Sequence, residues 1–158
     1  MTAYGGVFKN GASTGTATNA MASAGTIYLQ DAAQAEGTGT VYVKNGARNS
    51  NVYGWTPFPA GVLGDEIESL KGVTLDVSEA GRVAVCNGLK IAKLRLAEGS
   101  AVNLNGGTFT VETAQFGTVK LAQGVYTAAD AAVAGFVEDS TGGGTLVVRG
   151  NAVVVLLR

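Results

Sequence analysis

The sequence predicts an all-β protein, a parallel β-helix in which short strands stack coil upon coil. The 158 residues include 24 glycines and 2 prolines, and 46% are hydrophobic against 15% charged, so turns are frequent and the segments between them are apolar. Segments that alternate apolar and polar residues recur about every seven to ten residues, which is too short for helices. Their apolar residues are nearly all Val, Leu, Ile or Phe, and this similar size suits like-on-like stacking.

The first two strands are predicted from a repeated phrase, GTIYLQ at 25–30 and GTVYVKNG at 39–46. Looser copies follow in GTFTVE, GTVKLAQG and GGTLVVRG. In both strands the alternation directs the aliphatic residues inward and one tyrosine outward. We therefore expect Tyr28 and Tyr42 to stack on each other on the outer surface.

Later segments alternate more regularly and define the predicted core. Its inward residues are Val73, Leu75, Val77, Val83, Val85, Ala92, Leu94, Leu96, Val102, Leu104, Phe109, Val111, Val119 and Leu121. With about 25 residues per three-strand coil, residues 25–158 supply about five or six coils. An antiparallel β-sandwich satisfies the same alternation and is the alternative fold.

Composition divides the chain into two parts. Residues 1–24 are mostly Gly, Ala, Ser, Thr and Asn and are predicted to be a low-complexity lead-in or cap, while residues 25–158 form the β-helix domain. Residues 47–72 interrupt the rhythm with both prolines and the only tryptophan, and they are predicted to be an inserted loop. A second weak stretch, 128–135, predicts a short helix or a wide turn.

Two long segments carry a resemblance to known proteins. GTIYLQDAAQAEGTGTVYVKNG at 25–46 and GTVKLAQGVYTAADAAVAGFVEDSTGGGTLVVRG at 117–150 resemble the parallel β-helix repeat regions of bacterial autotransporter-like surface proteins. The resemblance implies a single-stranded, right-handed β-helix, an extracellular or cell-surface location, and a structural or adhesive role. It implies no catalytic residues.

Charge and composition exclude several classes of partner. The formal net charge is -1, so the excess of cations that drives non-specific binding of nucleic acid is absent. No apolar run approaches the roughly 18 to 20 residues of a membrane-spanning helix. Cys86 is the only cysteine, which excludes an internal disulfide and predicts a packing role. We expect no nucleic-acid partner and no membrane span.

The residue inventory also predicts that the protein is not an enzyme and needs no cofactor. The chain has no histidine, which removes Ser-His-Asp and Cys-His nucleophile systems and the zincin motif. Carboxylates are the remaining catalytic groups, and Asp76 with Glu79 is the pair on a predicted strand. Asp65, Glu66 and Glu68 in the insertion are weak calcium candidates.

Three aromatic residues in the insertion form a candidate glycan platform. Tyr53, Trp55 and Phe58 lie within six residues, and flat aromatic faces bind the apolar faces of sugars. The alternative is that these rings fold over the coil and seal a satellite core. On the first interpretation the protein is a carbohydrate-binding module or a remnant of a polysaccharide-degrading β-helix protein.

The main functional prediction is a non-enzymatic structural or adhesive module. Because a stack of coils exposes strand edges at its ends, self-association into a fibre is expected through coil ends or through the apolar C-terminal strand at 151–158. Asn45, Asn87 and Asn105 each precede glycine. These asparagines either bond to the next coil or simply suit tight turns, and the sequence leaves both options open.

Overall fold

The structure is a computed structural model, and it describes residues 24–46, 54–59 and 70–150. These residues form twelve strands and a short 3-10 helix at Ala131–Val133, so the all-β prediction is confirmed. The strands are β1 Thr26–Leu29, β2 Thr40–Lys44, β3 Thr56–Phe58, β4 Thr74–Ser78, β5 Arg82–Val85, β6 Lys90–Leu96, β7 Ala101–Asn103, β8 Thr108–Phe116, β9 Val119–Lys120, β10 Gly124–Tyr126, β11 Val137–Glu138 and β12 Thr145–Val148.

The strands form two sheets, neither of which closes into a barrel. The larger has eight strands in the order β1-β2-β4-β6-β8-β12-β10, with β9 also paired to β8, and the smaller has the order β11-β7-β5-β3. From β3 to β8 the chain passes back and forth between the two sheets. Each of the strands β3 to β6 therefore pairs with the strand that comes two places later in the chain.

Parallel pairing predominates, but the sheets are mixed. Among the strand pairs of the described residues, seven are parallel and three are antiparallel. The antiparallel strands are β1, β9 and β10, and β1 and β10 are the two edges of the large sheet. An antiparallel sandwich would instead join successive strands as hairpins. Its defining hairpins occur here only at the periphery.

The core consists of buried side chains that lie opposite one another across successive parallel strands. On the large sheet one row is Val43, Val77, Leu96 and Phe116, and the next is Val41, Leu75, Leu94 and Ala114. On the small sheet the corresponding row is Val83, Val102 and Val137. All of these side chains are buried, and each large aliphatic contributes about 1.5 to 3 kcal/mol by leaving water.

Strands β6 and β8 change direction partway along. Ile91 and Leu94 are both buried although they are three residues apart, an odd spacing that a straight strand would place on opposite faces. The amides of Ala92 and Lys93 both donate to the carbonyl of Val73, at 3.0 and 3.3 Å, which is the two-against-one arrangement of a β-bulge. The predicted inward position of Ala92 is therefore wrong, and Ile91 occupies the core instead.

The Gly-Thr phrase marks places where neighbouring segments come closest. Gly107 and Gly144 directly precede β8 and β12, and a Cβ added to Gly107 would lie 2.8 Å from the Cα of Asn87. At Gly144 it would lie 2.7 Å from the Cβ of Leu104. Glycine is required at such backbone contacts because no side chain fits. This steric requirement accounts for the glycine at these two copies of the phrase, whereas a Cβ at Gly117 in GTVKLAQG would have no neighbouring atom closer than 3.6 Å.

The first strand does not run as the sequence predicted. Strand β1 is antiparallel to β2, so Tyr28 lies opposite Val41, and Ile27 lies opposite Tyr42. Residues opposite each other share a face, and the predicted outer pair of Tyr28 with Tyr42 is wrong. Leu29, predicted inward, is 50% exposed.

The predicted insertions contain regular structure. Strand β3 lies inside 47–72 and pairs in parallel with β5. The 3-10 helix lies inside 128–135, where a short helix or wide turn was expected. It belongs to an excursion at 117–136 that also contains β9 and β10. The predicted lead-in, apart from Ala24, and the C-terminal strand at 151–158 lie outside the described residues.

Candidate functional site

The most concentrated side-chain interaction on the small sheet joins three of its four strands. The guanidinium of Arg82 lies 4.2 Å from the centroid of the Trp55 ring, within cation–π range. The Nη2 atom of Arg82 is 2.6 Å from Oε1 of Glu138. Trp55 precedes β3 while Arg82 begins β5 and Glu138 ends β11, so one arginine connects strands that are distant in sequence.

The three residues of the predicted glycan platform are not equivalent in the structure. Trp55 is half-buried, and Arg82 stacks on one face of its ring. Phe58 is 6% exposed and belongs to the core, because it is an odd number of residues from Trp55 and so faces the other way. Tyr53 lies outside the described residues. Of the three, the structure brings only Trp55 to the described surface.

Some of the acidic candidates lie outside the described residues, and the others lie within them. Asp65, Glu66 and Glu68 lie outside the described residues. Asp76 Oδ2 is 3.9 Å from Nη1 of Arg95, and Glu79 Oε1 is 3.7 Å from Nζ of Lys44, so each acid faces a cation. Within 24–46, 54–59 and 70–150, no three His, Cys, Asp or Glu side chains are grouped so that they could hold a metal ion.

A polar corner between β7 and β12 was not predicted from the sequence. The side chain of Asn103 is buried and donates from Nδ2 to the Ser140 hydroxyl at 3.0 Å, while its Oδ1 accepts from the amides of Asn105 at 3.0 Å and Ser140 at 3.2 Å. It therefore joins two segments that are 37 residues apart. A buried amide with partners on both its nitrogen and its oxygen fixes the register locally.

Asp139 completes this corner. Its carboxylate accepts the amides of Gly144 at 2.6 Å and Gly106 at 2.7 Å. The hydrogen bond from Gly144, supported by the one from Gly106, holds the pKa of the Asp139 carboxyl below its usual value because both bonds favour the charged form. The acid thus has a structural role in joining the two segments.

The predicted asparagines satisfy both interpretations. Asn87 Oδ1 accepts the amide of Thr108 at 2.9 Å, and Asn105 Oδ1 accepts the Ser140 hydroxyl at 3.3 Å, so both bond to another segment. Both also precede a glycine with positive φ, as expected of tight turns. Asn45 is buried.

Cys86 lies at the margin of the core. Its side chain is half-buried and packs against the buried cluster, and burial raises the pKa of the thiol. A thiol with a raised pKa is less nucleophilic at neutral pH. The position agrees with a packing role.

The outer face of the large sheet carries aligned polar side chains. One row consists of Tyr42, Asp76, Arg95, Gln115 and Lys120, and the adjacent row consists of Thr40, Thr74, Lys93 and Thr113. The sequence predicted that the lysines and the arginine point outward, but not that they share rows. Thr74 lies opposite Lys93, which is 19 positions later, whereas the predicted coil had about 25 residues. In the sequence, the shorter period could be recognised from KLRL at 93–96 and TAQF at 113–116, which alternate polar and apolar residues in the same way.

Comparison with known proteins adds no relative. No protein-family model matches the chain, and neither a curated protein nor a solved structure matches it. In the part of the chain that the structure describes, no helix has the length and apolar character needed to cross a membrane. Functional inference therefore starts from the geometry of these surfaces.

Proposed function

We propose that this chain is a structural module without enzymatic activity, a right-handed parallel β-solenoid that forms a section of a bacterial surface protein. The observation that supports the proposal is the register of the core, in which buried residues align across four successive strands such as β2, β4, β6 and β8. The bacterial and surface parts of the proposal rest on the sequence resemblance. Right-handed winding is also the general rule for parallel crossovers.

The strand bends give each coil three sides. In one coil the chain follows β4, then β5, then the first part of β6, and the second part of β6 begins the next coil. Thr74 and Lys93 are 19 positions apart, and Lys93 and Thr113 are 20 apart, so a central coil has about this length. Within the described residues, coils of this length run from 74 to 92 and from 93 to 112, and the return from Thr108 to Thr145 is lengthened to 37 residues by the excursion at 117–136.

The ends of the large sheet favour a bounded section over an endless fibre. Strand β1 covers one end, and β9 and β10 cover the other, all three running antiparallel to the strand that they join. A coil added beyond them could not continue the parallel ladder. Among the described residues the small sheet ends at the edge strands β3 and β11. If copies of the chain form a fibre, they associate through these two strands.

Engineered disulfides test the solenoid register. In a Cys86→Ala background, Thr74→Cys with Lys93→Cys places two thiols on directly opposite residues, whose Cα atoms are about 4.8 Å apart in neighbouring strands. We expect rapid oxidation to an intramolecular bond, read by mass spectrometry under denaturing conditions. The matched control, Thr74→Cys with Arg95→Cys, shifts one thiol by two residues and should stay reduced. Cross-linking of the control alone would contradict the register.

The assembly and surface parts of the proposal have separate tests. Light scattering after size exclusion should give a monomer whose mass does not rise with concentration, because the antiparallel edge strands β1 and β10 interrupt the parallel ladder of the large sheet. Concentration-dependent polymers would contradict the bounded section.

In the producing organism, protease treatment of intact cells should remove the protein. Its complete protection in intact cells, together with cleavage after lysis, would contradict surface exposure.

A further inference from the structure

A groove of about 620 Å³ runs over the outer side of the large sheet near β9. Lys93 and Arg95 from β6 line one part of it, and Lys120 from β9 lines another. The apolar side chains of Ala92 and Leu121 also contribute to its lining. The groove therefore combines cations with small apolar surfaces.

The lysines of this groove are available for a ligand. Among the described residues, no acidic group lies within 4 Å of the ammonium of Lys93 or Lys120. Arg95 has only a 3.9 Å contact with Asp76, and both side chains remain partly exposed, which makes this a weak pair. Glu112 is the single acid in the lining, so positive charge predominates.

Two neutral polar groups lie between these charges. The hydroxyl of Thr113 is buried at its oxygen and has no hydrogen-bond partner among the described residues. Gln115, which lies opposite both Arg95 and Lys120, uses its Nε2 on the carbonyl of Gly117 at 3.1 Å and has its Oε1 left to accept. A ligand with hydroxyl groups would satisfy both residues.

The geometry points to a binding site for an anionic glycan, one that carries carboxylate or sulfate groups along a chain of sugars. Lys93 and Arg95 are two residues apart on one face, about 6.6 Å along the strand, and Arg95 and Lys120 are two strands apart, about 9.6 Å. Cations spaced in this way can each contact a separate negative group along such a chain.

The lining favours a glycan over single-stranded nucleic acid. Nucleic-acid sites of this kind stack bases on aromatic rings, and the described lining contains no aromatic residue. Sugars instead present small apolar patches and many hydroxyl groups, which match Ala92, Leu121, Thr113 and Gln115.

Binding is measured by isothermal titration at low ionic strength with four probes of similar length. They are an oligogalacturonate, a sulfated glycosaminoglycan oligosaccharide, a neutral malto-oligosaccharide and oligo-dT. We expect one or both anionic sugars to bind and the neutral sugar not to bind. The two anionic probes distinguish carboxylate from sulfate recognition. Equal or tighter binding of oligo-dT, or binding of the neutral sugar alone, would overturn the proposal.

Matched charge variants localise the site. Lys93→Gln with Lys120→Gln should weaken anionic-sugar binding about tenfold, since two exposed charge contacts are lost. Glu112→Gln should strengthen it about twofold by removing the one acid. Lys90→Gln, which removes one positive charge on β6 outside the groove lining, should change it less than about twofold. Unchanged melting temperatures verify folding; equal losses in the double variant and Lys90→Gln would contradict the site.

Discussion

The central strands and the last turn of the chain are held in register by different means. Between residues 73 and 116 the chain returns to the same position after 19 or 20 residues, and aligned aliphatic side chains fill the interior. Between Thr108 and Thr145 the return takes 37 residues, because the chain first makes the excursion at 117–136. Here Asn103 and Asp139 add polar bonds between the segments.

This difference shows where polar side chains are needed for register. In the central region, short connections and apolar rows leave few alternative pairings. A buried polar group there need not hold the register, as the hydroxyl of Ser100 shows, because it has no partner among the described residues. A long excursion loosens that constraint, since the returning strand has more ways to dock. The directional bonds of Asn103 and Asp139 select one of them.

The largest effect is expected from truncating the central core. Leu94→Ala should lower the free energy of unfolding by about 2 to 5 kcal/mol, because it opens a cavity between Leu75 and Ala114. Leu146→Ala in the last turn should fall nearer the lower end of that range, since only one of its two cross-strand neighbours, Phe109, is buried and the other, Tyr126, is half-buried. Urea denaturation measures both variants.

Lys90→Ala is the control for this pair, because Lys90 is exposed on the same strand as Leu94 and should change stability by less than about 0.5 kcal/mol. A loss in Leu146→Ala that equals or exceeds the loss in Leu94→Ala would show that the last turn is packed as tightly as the centre. The comparison would then fail.

A smaller effect on stability is expected from replacing asparagines, and it should differ between the buried Asn103 and the exposed Asn87. Asn103→Ala should cost about 1 to 3 kcal/mol, because it leaves buried groups of the polar corner without partners. Asn87→Ala, which removes one exposed bond to Thr108 in the central region, should cost about 0.5 to 1.5 kcal/mol. Equal costs in urea denaturation would mean that polar bonds matter to the same degree in both regions.

The smallest effect is a pH dependence at Asp139. Its pKa is lowered from the usual 3.8, so its stabilising contribution is complete above the unfolded pKa and is lost as pH falls through the folded value. Asp139→Asn should therefore lower the melting temperature at neutral pH. The gap to the wild type should narrow at pH values below about 3.9. A gap that does not change with pH would contradict a charge-based role.

Much of the fold could be predicted from local alternation. Val73, Leu75 and Val77 are buried as predicted, because a strand with one buried face must repeat every two residues. Alternation cannot show which strand is the neighbour or in which direction it runs. The antiparallel course of β1 therefore escaped prediction, and Tyr28, although exposed, does not pair with Tyr42 as predicted. The bend in β6 was not predicted for a related reason, because a bulge shifts the alternation of inward and outward side chains by one residue.

The site residues were harder to predict because they depend on register. Arg95 and Lys120 belong to strands that are not consecutive, and a coil period wrong by about five residues places them in different rows. Asn103 and Asp139 have no distinguishing local sequence, and their contacts exist only after the excursion returns. By contrast, the acids of 65–68 were conspicuous in sequence because they are close together in the chain.

The excursion at 117–136 has a consequence for engineering. Thr145 still lies opposite Thr108 after a detour of this length, so the ladder accepts a guest segment between neighbouring rungs. Because loop-closure entropy grows only slowly with length, longer guests would cost little more. Foreign peptides inserted at the exposed residues 129–132, outside β9 and β10, would thus be displayed on a rigid support whose framework need not be redesigned.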